Sequence, residues 1–217
     1  MEVPNNNYQN LHIDSVGLRT PSDSGLDEYQ SIFTNHQISY SSITELNGNK
    51  HFNFKDHNQQ LFDIYSNEHN TGVPLGMPSF ESTVNPLHQI QGLGPVILKV
   101  NELPITASIL TNVFGLNIFA EYHPSEESTQ AIQVFKIGEG GLGGELHLYE
   151  AETEINNEDV GMVEQIEFST QNKSEFENAK QTLDDIGIPY QTLEQDDSDS
   201  LRITENSGIS FIYTLEK

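Results

Sequence analysis

The chain has 217 residues, with 33 acidic and 9 basic side chains, so its net charge is −24 at neutral pH. A chain this acidic repels nucleic-acid phosphates and anionic membranes, so we expect neither as a partner. Cysteine is absent, which excludes disulfides, thiolate metal sites and cysteine nucleophiles. The N-terminus lacks signal-peptide features, and no apolar run is long enough to cross a membrane. We therefore expect a cytoplasmic protein.

The first predicted module, module A, comprises residues 1–68. It opens with a strand-like stretch, IDSVGLRT, at 13–20, followed by an amphipathic helix and further short strands. Residues 69–92 follow, and their richness in glycine, proline and asparagine is typical of a linker.

Module B is predicted at residues 93–150. Its first strand is LGPVILKV at 93–100, and its helix is LPITASILTNVFG at 103–115, with Gly115 as the stop signal. The runs LNIFAEY, QAIQVFKI and GELHLYE then have the composition and length of three strands. The order of elements is therefore predicted to be βαβββ.

Module C, residues 151–217, repeats module A at a constant offset of 150 residues. Its first strand is predicted at 163–170 and its helix at 172–186, with Ser174 and Glu177 as a capping box. The chain is thus predicted to be an α+β protein of three βαβββ modules. The residue pairs that carry the repeat are Leu26 and Phe176, Phe33 and Leu183, Ile38 and Ile188, and Tyr40 and Tyr190.

The stretch LGPVILKVNELPITASILTNVFGLNIFAEY, with VFKIGEGGLGGELHLYE after it, resembles the vicinal oxygen chelate superfamily of glyoxalases, bleomycin-resistance proteins and extradiol dioxygenases. More narrowly, the three modules resemble the second, third and fourth modules of ring-cleaving dioxygenase-like proteins of Gram-positive bacteria, without the first module. The resemblance implies curled mixed sheets with helices packed outside. It also implies that paired modules form a cup that holds a divalent metal.

In that family, histidines on first strands and a glutamate on a last strand hold the metal and leave positions open for substrate. The resemblance places Ser15, Pro95 and Gln165 at the histidine positions. It places Asp63, His147 and Ile212 at the glutamate position of modules A, B and C, respectively. We therefore expect no metal cofactor. The alternative is Fe²⁺, Mn²⁺ or Zn²⁺ held in an unusual arrangement by Asp63, Glu145 and His147.

Strand alternation predicts which side chains enter the cup. His51, Asn53 and Lys55 share one face of a strand that we predict to be solvated. No Ser/His/Asp order in the sequence favours a hydrolase, and we assign no catalytic residue. The predicted small-molecule pocket consists of Asp63, Glu145, His147, Tyr149, Gln165 and Glu167.

The main functional hypothesis is a degenerate member of the superfamily whose cup binds a small aromatic or quinone-like molecule without a metal. The alternative is an active metal-dependent ring-cleaving dioxygenase or glyoxalase-like lyase that uses displaced ligands or a partner chain. A weaker third hypothesis is a protein that sequesters antibiotics or quinones. Because modules close cups in pairs and three is odd, we also predict that module C completes its sheet in a homodimer, against module C or module A of the partner chain. The alternative is that modules B and C pair within the chain and module A packs separately.

Overall fold

The computed structural model describes residues 12–46, 48–124, 127–155, 164–205 and 208–217. These residues form three successive βαβββ runs, as predicted. The first run is β1 Ile13–Thr20, α1 Asp23–Asn35, β2 Thr44–Leu46, β3 Asn49–Lys55 and β4 Leu61–Ser66. The second is β5 Leu93–Val100, α2 Leu103–Ser108, β6 Asn117–Tyr122, β7 Ile132–Lys136 and β8 Glu145–Glu150. The third is β9 Gln165–Thr170, α3 Lys173–Ile186, β10 Gln191–Glu194, β11 Ser198–Thr204 and β12 Ser210–Glu216.

The chain divides into two compact units that do not follow chain order. One unit consists of Ile13–Leu98 and Phe119–Leu148. The other takes its described residues from His12, Lys99–Ile118 and Tyr149–Lys217. The first unit holds nearly all of a curled eight-stranded sheet. The second holds a four-stranded sheet, α3 and the helix of module B.

The eight-stranded sheet combines the strands of modules A and B in the order β2-β3-β4-β1-β5-β8-β7-β6. The first strands of the two modules meet at its centre, where β1 and β5 run antiparallel with Val16 opposite Val96. On its other side, β1 runs parallel to β4. The two modules therefore share one sheet, as the resemblance implied for paired modules, and the alternative in which modules B and C pair is wrong.

One face of the module A strands packs against α1. Its core consists of Leu26 and Phe33 from the helix and Phe52 and Ile64 from the strands, all buried. The rings of Phe33 and Phe52 lie 5.9 Å apart in an edge-on arrangement. Because strand side chains alternate, the neighbours of these core residues on β3 and β4 are directed to the opposite face. That face carries the polar residues of the candidate site.

The four-stranded sheet has the order β10-β11-β12-β9, with β9 parallel to β12 and the other pairs antiparallel. Phe168, Phe211 and Tyr213 form one face of it, against which Phe114 packs at ring distances of 5.4 to 6.1 Å. In the described residues β9 has only β12 as a strand partner. The homodimer stays a prediction, which light scattering over a range of salt concentrations would check.

Two local predictions need correction. The helix of module B is α-helical only to Ser108 and continues as a π-helical turn, Ile109–Val113, which the periodicity could not reveal. The cap of α3 is Asn172, whose side chain accepts from the amide of Ser174 at 3.0 Å. The predicted capping box of Ser174 and Glu177 is therefore wrong, because the helix begins before Ser174. Val163, in the predicted strand 163–170, lies outside the described residues.

The segment predicted as a linker, 69–92, contains no regular element but is extensively hydrogen-bonded. The side chain of Gln89, which is buried, bonds both the amide and the carbonyl of Ser79, at 2.7 and 2.9 Å. The amide of Gly76 donates to the carbonyl of Gln91 at 2.7 Å. No helix among the described residues is long and apolar enough to cross a membrane.

Candidate functional site

Asp63 is the centre of a buried polar cluster on the module A half of the eight-stranded sheet. It lies on β4 between β1 and β3, and its carboxylate accepts from both neighbours. The hydroxyl of Ser15 donates to Oδ2, and Nδ1 of His51 lies 3.1 Å from Oδ1. Both oxygens of the carboxylate are therefore engaged within the protein.

The histidine of this cluster, His51, was predicted to lie on a solvated strand face. Only 15% of the His51 side chain is exposed, and its ring stacks on Tyr65 at 4.8 Å. Nε2 of the ring lies 3.3 Å from the hydroxyl of Thr44. The prediction that His51 is solvated was wrong, because the pairing of β3 with β4 places it beside Asp63, which a single strand does not reveal.

A second cluster lies on the module B half of the same sheet. His147 on β8 is 2% exposed, and both of its ring nitrogens are hydrogen-bonded. Nδ1 lies 3.0 Å from the hydroxyl of Tyr122, and Nε2 lies 3.2 Å from Oε2 of Glu145. The three side chains thus form a continuous chain from a phenol through an imidazole to a carboxylate.

The pKa values of the two tyrosines determine how this chain is protonated. Burial, and then the charges of Asp63 and Glu145, raise the pKa of Tyr122 to about 12. Burial, with Asp63 first among the nearby charges, raises the pKa of Tyr65 well above its ordinary value. The phenol of Tyr122 is therefore neutral at physiological pH. Because the carboxylate of Glu145 can only accept, Nε2 of His147 carries a proton, and in the neutral imidazole Nδ1 then accepts from Tyr122.

Glycine at position 17 allows β1 to approach β5 in this region. A Cβ atom there would come within 2.5 Å of the carbonyl oxygen of Pro95 and 2.7 Å of the backbone of Gly94. Any side chain at this position would push β5 away from β1. The close approach of the two first strands, which joins the halves of the sheet, thus depends on Gly17.

A cavity of about 690 Å³ opens over this face of the sheet. Its wall combines aromatic and aliphatic side chains with carboxylates, two imidazoles and an ammonium group. Three glutamates and one lysine give the wall a net negative charge. The side chains that define it are Tyr65, Pro95, Phe119, Val134, Leu142, His69, Lys136, Glu121, Glu139, Glu145 and His147.

The divalent metal that the family resemblance implies does not fit this site. Ser15 and Pro95 stand where the resemblance places histidines, and the carboxylate of Asp63 is already held by two donors. Both ring nitrogens of His147 are already hydrogen-bonded, to Tyr122 and to Glu145. Within the described ranges, no three histidine or acidic side chains are grouped so that they could hold a metal ion.

Of the six predicted pocket residues, Glu145 and His147 line the cavity, and Asp63 lies in the same unit without lining it. Asp63, Glu145 and His147 belong to the unit that holds the eight-stranded sheet, whereas Tyr149 follows His147 on β8 and belongs to the other unit. Gln165 and Glu167 lie on β9 of the four-stranded sheet and are exposed. Three further residues of the site, His51, Tyr65 and Tyr122, were not predicted from the sequence. Tyr65 lies two residues after Asp63 on β4, so strand alternation could have indicated it.

Replacing Asp63 with asparagine should lower the pKa of Tyr122 below about 12, because one of the charges that opposes phenolate formation is removed. The change is measured from the ultraviolet absorbance of tyrosinate during a titration, with Tyr122→Phe identifying the signal. The pKa of Tyr122 in the folded protein lies above its ordinary value of 10.0. The stability that this difference contributes is therefore fully present below pH 10 and is lost as the pH rises toward 12. An unchanged titration in Asp63→Asn would contradict the proximity of the two clusters.

No protein-family model matches the chain, and no curated protein sequence matches it. Among solved structures, a candidate dioxygenase from Bacillus subtilis subsp. subtilis str. 168 superposes with a TM-score of 0.68 and 14% identity. The match covers 94% of this chain but 62% of that protein, so the chain spans less than two thirds of its length.

Two smaller structures match part of the chain. A glyoxylase/bleomycin resistance protein/dioxygenase domain from Frankia sp. EAN1pec has 18% identity and a TM-score of 0.48, over 59% of this chain and 100% of that one. A lactoylglutathione lyase from Agrobacterium tumefaciens has 19% identity and a TM-score of 0.41, over 56% of this chain and 91% of that one. Taken with the βαβββ repeats and the sheet shared by modules A and B, the superposition over 94% of the chain establishes the architecture. The chain therefore has the vicinal oxygen chelate fold.

Proposed function

We propose that this protein is a degenerate member of the vicinal oxygen chelate superfamily that binds a small aromatic or quinone-like molecule in its cup without a metal. The observation that carries the proposal is the cavity of about 690 Å³ over the shared sheet. Its volume lies within the range of about 300–1,000 Å³ that is typical of small-molecule sites.

The chemistry of the wall supports a flat, uncharged ligand. Pro95, Phe119 and Leu142 supply apolar surface on which a ring can lie. Glu145 supplies a carboxylate that can accept hydrogen bonds from ligand hydroxyl groups. Because glutamates outnumber the single lysine on the wall, an anionic ligand would be repelled. A neutral aromatic molecule with hydroxyl groups therefore suits the site best.

The hydrogen-bond arrangement supports a role that needs no metal. Asp63 and His147 occupy the glutamate positions of modules A and B, yet each is satisfied by protein groups. Buried polar groups that are fully paired hold a pocket in one shape. In this proposal the two clusters maintain the shape of the cup rather than binding an ion.

Calorimetric titration with catechol and with 1,4-naphthoquinone tests the proposal. Phe119→Ala should weaken binding of both probes by about 3- to 10-fold, because it removes one aromatic contact. Glu145→Gln should weaken binding of catechol alone, since naphthoquinone has no hydroxyl to donate. Phe80→Ala is the matched control, because Phe80 is 88% exposed and does not line the cavity. Absence of heat for both probes, or equal effects of Phe119→Ala and Phe80→Ala, would count against the proposal.

The second candidate is a metal-dependent ring-cleaving dioxygenase or glyoxalase-like lyase. It is favoured by the fold and by the placement of Asp63, Glu145 and His147 in one unit. Titration of the purified, untagged protein with Fe²⁺, Mn²⁺ and Zn²⁺ separates the two candidates. We expect no sub-micromolar binding, and Gln165→His should not create it because Ile212 supplies no carboxylate. Sub-micromolar binding to the unmodified chain would favour the enzyme.

A further inference from the structure

A serine, a histidine and a glutamate that take no part in the cup meet at the start of α1. Oγ of Ser24 lies 3.1 Å from Nε2 of His88. Nδ1 of the same ring is hydrogen-bonded to Oε2 of Glu28. Ser24 and Glu28 lie one turn apart on the helix, and His88 comes from the segment 69–92. All three belong to the same unit of the chain.

The hydrogen bonds of this cluster agree with one protonation state. If Glu28 is ionised, it accepts a proton from Nδ1, which leaves a lone pair on Nε2. That lone pair accepts the hydroxyl proton of Ser24. The hydroxyl of Ser22 lies 2.9 Å from that of Ser24 and can donate to it. The imidazole is thus in the tautomer that a general base for Ser24 requires.

The backbone around the histidine holds the ring in place. The carbonyl oxygen of His88 accepts from the hydroxyl of Thr20 at 2.8 Å, and its amide donates to the carbonyl of Asn85 at 2.8 Å. The amide of Ile90 donates to the hydroxyl of Tyr29 on α1 at 3.1 Å. The segment that carries His88 is therefore hydrogen-bonded to Thr20, the last residue of β1, and to α1, the helix that carries Ser24.

The cluster is open to solvent where a nucleophile needs access. Ser24 is exposed, and the side chains of His88 and Glu28 are 21% and 32% exposed. Ser24 lies in the first turn of a 13-residue helix, whose dipole favours developing negative charge there.

We propose that Ser24, His88 and Glu28 form a nucleophilic triad that hydrolyses small carboxylic esters. Oγ of Ser24 bonds to the ester carbonyl carbon while its proton passes to Nε2 of His88. The bond to the leaving alkoxide then breaks, and the alkoxide departs as an alcohol with the proton from His88. Water, deprotonated by His88, attacks the acyl group and releases the carboxylic acid, which restores the hydroxyl of Ser24.

The charges around the cluster define the class of ester. Asp23 and Glu68 lie beside Ser24, since the amide of Asp23 donates to Oε2 of Glu68 at 2.9 Å. Lys50 pairs with Asp23, but the carboxylates of Glu28 and Glu68 keep the local charge negative. Anionic esters would be repelled, so the site suits neutral or cationic esters.

The sequence did not indicate this cluster, because 64 residues separate Ser24 from His88. A serine hydrolase is recognised by the geometry and roles of its residues, not by their spacing along the chain. Only the folded position of segment 69–92 brings the imidazole to the helix.

A fluorophosphonate probe, which reacts with activated serines, tests the proposal on the full-length chain. Tandem mass spectrometry measures the rate of labelling at each serine. Ser31 is the internal control. It is an exposed residue of the same helix, and its hydroxyl donates to the carbonyl of Asp27 at 2.9 Å. We expect Ser24 to be labelled about 100-fold faster than Ser31, the usual contribution of a general base.

Variants then assign the roles. His88→Gln and Glu28→Gln should each reduce labelling at Ser24 toward the rate at Ser31. Ser24→Ala should abolish p-nitrophenol release from p-nitrophenyl acetate, whereas Ser31→Ala should not change it. Circular dichroism shows whether each variant folds, and the comparison of Ser24 with Ser31 in the unmodified chain needs no variant. Equal labelling of the two serines, or labelling at Ser24 that survives both glutamine variants, would overturn the proposal.

Discussion

Replacement of Arg19 with methionine is expected to lower the free energy of unfolding by about 3 kcal/mol, a large fraction of the stability of a typical domain. Arg19 is 3% exposed, and its guanidinium makes four hydrogen bonds, all to neutral acceptors. Methionine fills a similar volume but donates nothing, so these acceptors lose their partner. They are the carbonyl oxygens of Leu93, Val73 and Pro74 and the amide oxygen of Asn67.

The four acceptors explain why Arg19 matters more than a single contact. They lie at the start of β5 and along the chain that follows β4, so one side chain ties both segments to β1. Burial lowers the pKa of Arg19 below its ordinary value, yet the ordinary value is so high that the guanidinium is charged at neutral pH. Because hydrogen bonds from a charged donor are each worth about 1.5–3 kcal/mol, partial rehydration of the freed acceptors still leaves a substantial loss.

Urea denaturation followed by circular dichroism measures this loss. The chain has one other arginine, Arg202, whose guanidinium, among the residues that the structure describes, is hydrogen-bonded to the hydroxyl of Ser210 at 3.2 and 3.4 Å. Arg202→Met is therefore a matched control, and its effect should be below about 1 kcal/mol. If the two variants were equally stable, the central role of Arg19 would be disproved.

Replacement of Phe114 with alanine is expected to cost about 3–5 kcal/mol, the usual range for a buried phenylalanine. Phe114 follows the π-helical turn and contacts three aromatic rings of the four-stranded sheet. Its ring lies 5.4 Å from Phe168 and from Tyr213, and 6.1 Å from Phe211. The substitution removes all three contacts and leaves a cavity that the rigid sheet can fill only in part.

Hydrogen exchange of the amides in β9 and β12 measures this effect, because those strands carry the three rings. Phe80→Ala is the control, since Phe80 is 88% exposed and the same atoms are deleted. We expect Phe114→Ala to speed amide exchange in β9 and β12, and Phe80→Ala to leave the exchange rates of both strands unchanged. Unchanged protection in both variants would show that the helix of module B does not stabilise the four-stranded sheet.

The candidate site was only partly predictable. The family resemblance selected Asp63 and His147, and strand alternation added Glu145, because a strand directs every second side chain to one face. It could not select His51, which became a partner of Asp63 only through the register of β3 against β4. Tyr122 reaches His147 from β6, although β7 separates the two strands in the sheet. Contacts of this kind depend on sheet order and curvature, which no local pattern encodes.

The sequence by itself determined the three βαβββ repeats, the α+β class and the faces of the strands, because apolar periodicity and turn residues act locally. Only the tertiary structure decided that modules A and B share one sheet, since the repeats are compatible with more than one pairing. It also decided that Arg19 is buried among carbonyl groups, and that His88 lies between Ser24 and Glu28. These contacts join residues distant in sequence, and their geometry arises only when the strands and the segment 69–92 are packed together.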